Sequence, residues 1–238
     1  MYSFISRIRY SEVNAQKNLT ISGIIDYFQD CSTFHSEDLG VGLEYLERQN
    51  KVWVITNWHL KIKRLPHLGE KITISTWPYS FNTLLGYRSF TMTDANGELV
   101  AAANSIWVLM DTNTLRPVRT DSIAIEKYVL SEAFPMEDSP RKLDVPHQHI
   151  KRESFPVIKS NLDTNYHVNN GQYIKMAMEF LPADFIYQDV LVEYKKSAFL
   201  GDTICPLVSL TEGKCTIVLA DTDSVPYCIL EFRRDPNN

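Results

Sequence analysis

Apolar residues recur at helical spacing in two places along the chain. The spacing i, i+3, i+4, i+7 is shared by two sets of residues: Ile21, Ile24, Ile25 and Phe28, and Ile174, Ala177, Met178 and Leu181. Such spacing gives a helix one apolar face. The segments after each set are predicted to form three or more antiparallel strands. The pattern therefore predicts a helix followed by strands, present twice, in a chain of the α+β class.

A repeat links the two halves. The segment "LKIKRLPHLGEKITIS", which begins at Leu60, aligns with "VEYKKSAFLGDTICPL", which begins at Val192. Each copy predicts a strand, a turn containing glycine and an acid, and a second strand. Asn96-Gly97 is a hairpin signal in the first half. Two such units side by side, each with its helix on the concave face of a curved sheet, would imitate a homodimer.

The domain organisation follows from this repeat. Residues 1–134 are predicted to form the first unit, and residues 157–238 the second. The segment 135–156 holds four prolines, mixed charges and no clear period, which is typical of a linker. A short helix is expected between Ser122 and Phe134.

Composition and charge reduce the number of possible functions. A net charge of −5 over 238 residues gives no support to nucleic-acid binding. No apolar run approaches the ~20 residues that a membrane-spanning helix needs. The first residues, "MYSFISRIRYSE", lack the features of a signal peptide, so we expect a cytoplasmic protein. The four cysteines form no C-x-x-C pair and the six histidines show no ligand spacing, so we expect reduced, mostly buried thiols and no metal.

Candidate chemistry lies just before the second predicted helix, in "SNLDTNYHVNNGQYIKMAMEFL". Asp163, Asn165 and His167 are spaced i, i+2, i+4, and alternate side chains of an extended segment point the same way. Asn169 or Asn170 could cap the helix. A carboxylate, an amide and an imidazole next to a helix N-terminus suit acyl transfer to water.

Backbone N–H groups at the helix start, within Asn169, Asn170 and Gly171, are candidate donors to an oxyanion. A structural alternative stays open, because Asp and Asn before a helix are common cap and turn residues. In the first half, the positions that we align with the polar trio are Val13, Ala15 and Lys17. This difference favours a single site in the second unit.

The sequence resembles the acyl-acyl carrier protein thioesterases, the plant-type enzymes and their bacterial relatives. The resemblance covers nearly the whole chain and is carried by "LDTNYHVNNGQYIKMAME", "VLVEYKKSAFLGD", "NWHLKIKRLPHLGEKITISTWP" and "RPVR". It implies a double hotdog fold, in which a helix is wrapped by an antiparallel sheet twice. It also implies hydrolysis of the thioester between a fatty acyl chain and the phosphopantetheine of acyl carrier protein, without a cofactor. By position, Asp163, Asn165 and His167 match the family's catalytic acid, amide and imidazole.

One departure concerns the segment after Tyr194-Lys195-Lys196. Plant members have a Glu-Cys pair there, whereas this chain has Ser197-Ala198. Ala198 excludes a cysteine nucleophile at that place, and the role of Ser197 stays open. Glu193 is expected to share a strand face with Ser197, which makes it a supporting candidate; a solvated strand residue is the alternative.

In the expected mechanism, Asp163 activates a water or attacks the thioester carbonyl, while Asn165 and His167 orient the water or polarise the carbonyl. The resemblance assigns the acyl-chain pocket to the first unit. Phe28, Trp53 and Trp58 are candidates to line it, with a core role as the alternative for each. Five basic residues are candidates to meet an acidic carrier protein, unless they are simply solvated: Lys61, Lys63, Arg64, Lys195 and Lys196.

Three rival functions deserve comparison. A hotdog acyl-CoA thioesterase would share the chemistry, and a silent acyl-binding module would share the fold without hydrolysis. A hotdog dehydratase is disfavoured, because no His–Glu pair has the spacing that such enzymes use. The two fused units could stand alone or pair again as a homodimer.

Overall fold

The computed structural model describes residues 1–163 and 165–234, and the chain divides into two compact units, Met1–Glu137 and Asp138–Asn238. Each unit combines one principal helix with an antiparallel sheet, which confirms the predicted α+β class. In the described part of the chain, no helix is both long and apolar enough to cross a membrane.

The sheet of the first unit has the strand order β1-β3-β4-β5-β2, with β6 paired to β5. Its strands are β1 (Tyr2–Arg7), β2 (Lys51–Ile62), β3 (Lys71–Phe81), β4 (Leu85–Asp94), β5 (Leu99–Asp111) and β6 (Arg116–Pro117). All neighbouring pairs are antiparallel. The turn between β4 and β5 contains Gly97 at φ 82°, which confirms the hairpin predicted from Asn96-Gly97.

Helix α1 (Ile21–Asp38) lies against β1 and β3, and a second helix, α2 (Leu43–Arg48), follows it. The Thr20 side chain accepts a hydrogen bond from Gly23 N–H and caps the start of α1. The four predicted apolar residues of α1 are all buried. Phe28 stacks on Phe90 at 5.2 Å between ring centroids, so the helix and the sheet share an aromatic core.

The second unit is smaller. Helix α3 (Asn170–Met178) contacts two strands of a sheet with the order β9-β12-β11-β10-β7, and β8 pairs β10. The strands are β7 (Ile150–Lys151), β8 (Phe155–Pro156), β9 (Asp189–Tyr194), β10 (Thr203–Thr211), β11 (Lys214–Ala220) and β12 (Pro226–Arg233). Leu181 lies beyond the end of α3 and precedes Pro182, and a residue before proline is disfavoured in helical conformation.

The glycine-acid turns of the repeat are present in both units, with Gly69 at φ 81° and Gly201 at φ 87°. They connect strands that are not hydrogen-bonded to each other, since β2 pairs β5 while β3 pairs β1 and β4. The same holds in the second unit, where β9 pairs β12 and β10 pairs β11.

The short helix expected between Ser122 and Phe134 is wrong. The chain forms only two 3-10 turns there, Thr120–Ser122 and Ile125–Lys127. Its polar groups then bond to the sheet instead of to a helix ladder: Trp77 Nε1 donates to Glu132 O at 2.7 Å, and Phe134 N–H donates to Ser89 Oγ at 3.0 Å. These bonds, together with that from Ser131 N–H to Pro78 O at 3.2 Å, hold the segment to the first sheet without helical structure.

The segment 135–156, interpreted as a linker from its composition, contains β7 and β8, and both strands pair β10. Within it, Leu143 is buried against a cluster that includes Leu191, Leu207 and Ile229. The Leu143 N–H donates to Glu193 Oε2 at 2.7 Å.

Candidate active site

The polar trio lies in a tight turn that immediately precedes α3. Asp163 Oδ1 accepts hydrogen bonds from Asn165 N–H at 2.8 Å and from His167 N–H at 3.3 Å. The backbone closes the same turn, because Asp163 N–H donates to His167 O at 2.8 Å. Tyr166 has a left-handed φ of 62°. The expected extended segment is therefore wrong, and the three residues are joined by bonds to the Asp163 carboxylate rather than by strand alternation.

His167 is held from the other side by the segment around Ala198. His167 and Phe199 form a β-bridge, and their rings meet edge to face at 4.9 Å between centroids. Val168 N–H donates to Ala198 O at 2.9 Å. Ala198 N–H in turn donates to the hydroxyl of Tyr173, a buried residue of α3, at 2.9 Å. Helix α3 thereby holds the segment around Ala198 in place, and that segment in turn holds His167.

A second set of bonds supports Phe199. Asp202 Oδ2 accepts from Phe199 N–H at 2.9 Å and from the Tyr227 hydroxyl at 3.4 Å. Burial, followed by the negative charge of Asp202, raises the pKa of Tyr227 to about 12. The Tyr227 hydroxyl therefore stays protonated and can donate to the Asp202 carboxylate at neutral pH.

The start of α3 offers fewer free donors than its sequence suggested. Asn169 is the N-cap, and its side chain accepts from Gly171 N–H at 2.8 Å. Gly171 N–H is therefore occupied by the cap. The Asn170 carbonyl accepts from the Tyr194 hydroxyl at 3.0 Å. Of the expected oxyanion donors, Asn170 N–H has no hydrogen bond among those described, and it lies where the helix carries partial positive charge.

The first unit contains the same turn, built from different residues. Asn14 Oδ1 accepts from Gln16 N–H at 3.1 Å and from Asn18 N–H at 3.0 Å. Asn14 N–H donates to Asn18 O at 2.9 Å, and Lys17 has a φ of 63°. These bonds match those of the second-unit turn one for one.

The counterparts of the polar trio are therefore Asn14, Gln16 and Asn18, and the alignment with Val13, Ala15 and Lys17 is wrong by one residue. Because an asparagine makes the turn in the first unit, the negative charge of Asp163 is not needed to form it. The described hydrogen bonds of the Asp163 carboxylate all use Oδ1. The acid and the imidazole are thus what distinguish the second turn from the first.

The two supporting candidates on and after β9 lie in different environments. Glu193 is buried, and its carboxylate accepts from Leu143 N–H at 2.7 Å and pairs with Lys195 Nζ at 2.8 Å. Strand β9 ends at Tyr194, so Ser197 is not part of it and is exposed. The inference that Glu193 and Ser197 share a strand face is therefore wrong.

Most of the basic residues considered for docking already pair with acids of their own unit. Arg64 bonds to Glu70 and Asp94, at 2.5 and 2.9 Å. Lys61 lies 3.8 Å from Glu137. The other pairs are Lys195 with Glu193 and Lys196 with Asp221. These carboxylates compensate much of the positive charge that an acidic partner would meet.

The cysteines are unpaired thiols, as expected, and three of them are buried. Burial raises the pKa of Cys31 to about 12 and raises the pKa of Cys215 and Cys228 as well. A thiol with a raised pKa is a poor nucleophile at neutral pH. Within residues 1–163 and 165–234, no group of three or more histidine, cysteine and acidic side chains is placed to hold a metal ion.

The aromatic candidates for an acyl slot lie in the packing of the first unit. Phe28 and Trp58 are fully buried, and their ring centroids are 6.3 Å apart. Trp53 is partly buried against a smaller cluster of Leu46, Leu109 and Ile123. All three side chains contribute to the core of the unit.

Two α+β units, each with one principal helix against an antiparallel sheet, define a protein of the double hotdog class. The model of the acyl-ACP thioesterase N-terminal domain matches residues 2–128, and that of the C-terminal domain matches residues 145–225. The chain belongs to the acyl-ACP thioesterase family, which confirms the resemblance noted in its sequence.

Individual relatives agree with this assignment. The oleoyl-acyl carrier protein thioesterase of Coriandrum sativum is 25% identical over 85% of the chain, which spans about 60% of that relative's length. The structure of an acyl-ACP thioesterase from Bacteroides thetaiotaomicron has a TM-score of 0.88 at 21% identity, covering 97% of this chain and 96% of that one. A Lactobacillus plantarum protein, provisionally assigned as an oleoyl thioesterase, has a TM-score of 0.83 at 26% identity, with coverages of 99% and 96%.

Proposed function

We propose that the protein hydrolyses the thioester of a fatty acyl-acyl carrier protein and releases the free fatty acid. The observation that carries this proposal is the difference between two turns with the same hydrogen bonds. The first is built on Asn14 and has no ionisable side chain at the three matched positions, whereas the second presents Asp163 and His167. Membership of the family supports the choice of reaction.

In the proposed mechanism, the Asp163 carboxylate acts through Oδ2, because Oδ1 is engaged in the turn. In one route it takes a proton from the attacking water, and the tetrahedral intermediate then breaks its C–S bond and releases the pantetheine thiolate, which is protonated as it leaves. In the other route it attacks the thioester carbonyl itself and displaces the same thiolate, and water hydrolyses the resulting mixed anhydride to the fatty acid and the free Asp163 carboxylate. His167 and Asn165 orient the water or polarise the carbonyl. General-base assistance of this kind is typically worth ~10²–10⁴ in rate.

The negative charge that develops on the carbonyl oxygen needs a donor. Asn170 N–H, in the first turn of α3, is proposed for this role, because the Gly171 N–H is bonded to the Asn169 side chain. Glu193 is proposed to support the site indirectly, by holding Leu143 and Lys195. Ser197 is exposed and stays a candidate for contact with the substrate.

The division of labour between the units is also part of the proposal. Residues 157–238 would carry the chemistry, residues 1–134 the acyl-chain pocket, and residues 135–156 the connection. The residues proposed to line this pocket lie on the apolar inner face of the first sheet, where Ala101 and Ala103 pack beside Leu60 and Phe90. No metal, organic cofactor or nucleic acid enters the mechanism.

One observation favours a second candidate function, hydrolysis of acyl-CoA. Four of the five basic residues considered for docking are paired with acids, which reduces the attraction for an acidic carrier protein. Coenzyme A presents the same phosphopantetheine arm without a protein surface. The two substrates therefore differ in the contacts that they require and not in the bond that is cleaved.

The purified protein should be mixed with lauroyl-acyl carrier protein and, separately, with lauroyl-CoA at equal concentrations, and the free thiol followed over time. We expect release from both and a higher kcat/KM for the carrier-protein substrate. A higher kcat/KM for lauroyl-CoA would establish the second candidate instead. Retention of intact thioester on the protein without any thiol release would show an acyl-binding module and overturn both hydrolase functions.

A further inference from the structure

An arginine is buried inside the first unit without an acidic partner. Arg88 lies on β4 and is 7% exposed. Its Nη1 donates to His35 Nδ1 at 3.0 Å and to Thr76 Oγ1 at 3.3 Å, and the guanidinium lies over the Tyr128 ring at 5.4 Å from the centroid. Among the described side chains, no carboxylate lies within ion-pair distance of it. A buried charge with only neutral partners is unfavourable unless something compensates it.

The neighbours of Arg88 do not supply the missing charge. Burial, and then the positive charge of Arg88, lower the pKa of His35 to about 4, so its imidazole is neutral and its Nδ1 accepts. Burial raises the pKa of Cys31 to about 12, so this thiol is neutral as well. Burial lowers the pKa of Arg88 itself, but the ordinary pKa of arginine is so high that the side chain stays protonated at neutral pH. The guanidinium therefore carries a positive charge that these neighbours do not compensate.

The unused edge of the guanidinium has a defined shape. The described hydrogen bonds of Arg88 involve Nη1 alone, which leaves Nε and Nη2. These two nitrogens direct parallel N–H groups to one side and form the fork that binds a carboxylate through both of its oxygens. Of the described residues, only Trp58 has a side-chain nitrogen or oxygen that is both fully buried and without a hydrogen bond. Nε and Nη2 of Arg88 have no described hydrogen bond, so they are not fully buried and each keeps some accessible surface.

The fork lies in a row of polar side chains next to an apolar region. Arg88, Ser105 and Trp58 are opposite each other on β4, β5 and β2, which makes them one row across the sheet. Trp58, whose Nε1 has no partner, is thus in the same row, and its backbone is about 10 Å from that of Arg88, at two strand spacings. Two residues along each strand, the next row is formed by fully buried side chains: Phe90, Ala103 and Leu60. A carboxylate carried on an apolar chain matches both regions.

We propose that Arg88 forms a carboxylate-binding site within the first unit, and that the ligand is a carboxylate at the end of an apolar chain. Two sources have this chemistry. One is a free fatty acid that enters with its carboxylate first, and the other is an acyl group that carries a second carboxylate at its far end. The choice of these two sources rests on the proposed function, but the binding site does not.

The first test measures binding of laurate by isothermal titration calorimetry, with dodecanol as the uncharged ligand of the same chain length. We expect the wild-type protein to bind laurate at least ~10-fold more tightly than dodecanol, because charge-assisted bidentate bonds are strong. Arg88→Met should remove this preference and bind both ligands alike, and Arg88→Lys should keep only part of it. Equal binding of laurate and dodecanol by the wild-type protein would overturn the proposal, whatever the fold of the variants.

Folding of the variant is checked separately. Arg88→Met removes an uncompensated buried cation, which favours folding, but it also leaves His35 Nδ1 without its donor, so the two effects oppose each other and the thermal midpoint should change little. A folded Arg88→Met protein that still prefers laurate would show that Arg88 is not the site.

The two sources of the carboxylate are separated by comparing binding of two N-acetylcysteamine thioesters: the half-thioester of dodecanedioic acid and the thioester of dodecanoic acid. Preference for the diacid half-thioester, lost in Arg88→Met, would identify the far-end carboxylate; laurate preference without it would identify the free fatty acid. Because laurate binding needs no hydrolysis, its failure is distinct from failure of the proposed function.

Discussion

The hydroxyl of Tyr173 connects helix α3 to the segment that holds His167, and its removal should affect both stability and turnover. In Tyr173→Phe, the N–H of Ala198 loses its 2.9 Å acceptor while both residues are buried. An unpaired buried donor costs ~1–3 kcal/mol in the free energy of unfolding. For a chain of this length, that corresponds to a thermal midpoint lowered by about 2–12 °C.

Turnover should fall as well, because Ala198 O binds Val168 N–H and the next residue, Phe199, pairs with His167. A shift of the imidazole by a fraction of an ångström would reduce kcat by about 10-fold, since a displacement of 1 Å can cost ~10². Thermal denaturation gives the midpoint, and thiol release from lauroyl-acyl carrier protein gives kcat.

Tyr187→Phe is the matched control. Burial raises the pKa of the Tyr187 hydroxyl to about 12, and this hydroxyl has no hydrogen bond among those described. Its loss leaves no described hydrogen-bonding group without a partner, so the thermal midpoint and kcat should stay close to those of the wild-type protein. A Tyr173→Phe protein that behaves like Tyr187→Phe in both measurements would refute the link between α3 and His167.

Three further changes have defined outcomes. The Lys51 ammonium, 2.5 Å from Asp111, is the largest cause that lowers the Asp111 pKa to about 2, and Thr114 N–H is the next. The ionised carboxylate therefore stabilises the fold above its ordinary pKa near ~4, and this contribution is lost as pH falls from about 4 to 2. Asp111→Asn should flatten the loss of thermal stability across that range, and an unchanged slope would contradict the assignment. Replacing the four cysteines, Cys31, Cys205, Cys215 and Cys228, by alanine or serine should leave kcat intact in any variant that folds; a single folded variant without turnover would show a catalytic thiol. Lys17→Gly should raise the free energy of unfolding by up to ~1 kcal/mol, because Lys17 has a φ of 63°, and chemical denaturation that shows lower stability would exclude strain there.

The architecture was predictable because it depends on periodicity. The apolar spacing that begins at Ile21 corresponds to the buried face of α1, and Asn96-Gly97 marks the β4–β5 hairpin. The end of α3 was less predictable, since the apolar pattern continues to Leu181 while the helix ends at Met178. Periodicity reports which residues can be buried, and it does not report where backbone hydrogen bonding stops.

The comparison of the two turns shows a different limit. Aligning the polar trio with Val13, Ala15 and Lys17 missed Asn14, because apolar helix faces tolerate several registers. The turn does not, since its bonds run from residue i+2 and residue i+4 to the side chain of residue i. An asparagine or aspartate four residues before Asn18 or His167 was the signal that could have fixed the alignment.

The environment of Arg88 could not be predicted from its local sequence. Arginine next to Tyr87 and Ser89 in an alternating strand is typical of a solvated position. Its burial comes from His35 and Tyr128, which are far away in sequence and reach it only through the packing of the first unit. Contacts of this kind depend on tertiary structure, which single-sequence patterns do not contain.

The assignment of hydrolysis to the second turn is best tested by exchanging the charge between the two turns. Asp163→Asn keeps a side chain that makes the same turn in the first unit, as Asn14 does, so the thermal midpoint should change little. The reciprocal variant, Asn14→Asp, places the carboxylate in a turn without an imidazole and is the matched control.

The measurement is kcat for thiol release from lauroyl-acyl carrier protein by these two variants and the wild-type protein. We expect Asp163→Asn to lower kcat by at least ~10² while the protein still binds the intact thioester, because the general base or nucleophile is lost. Asn14→Asp should keep the wild-type kcat. Near-normal turnover by a folded Asp163→Asn protein would contradict the assignment of hydrolysis to this turn.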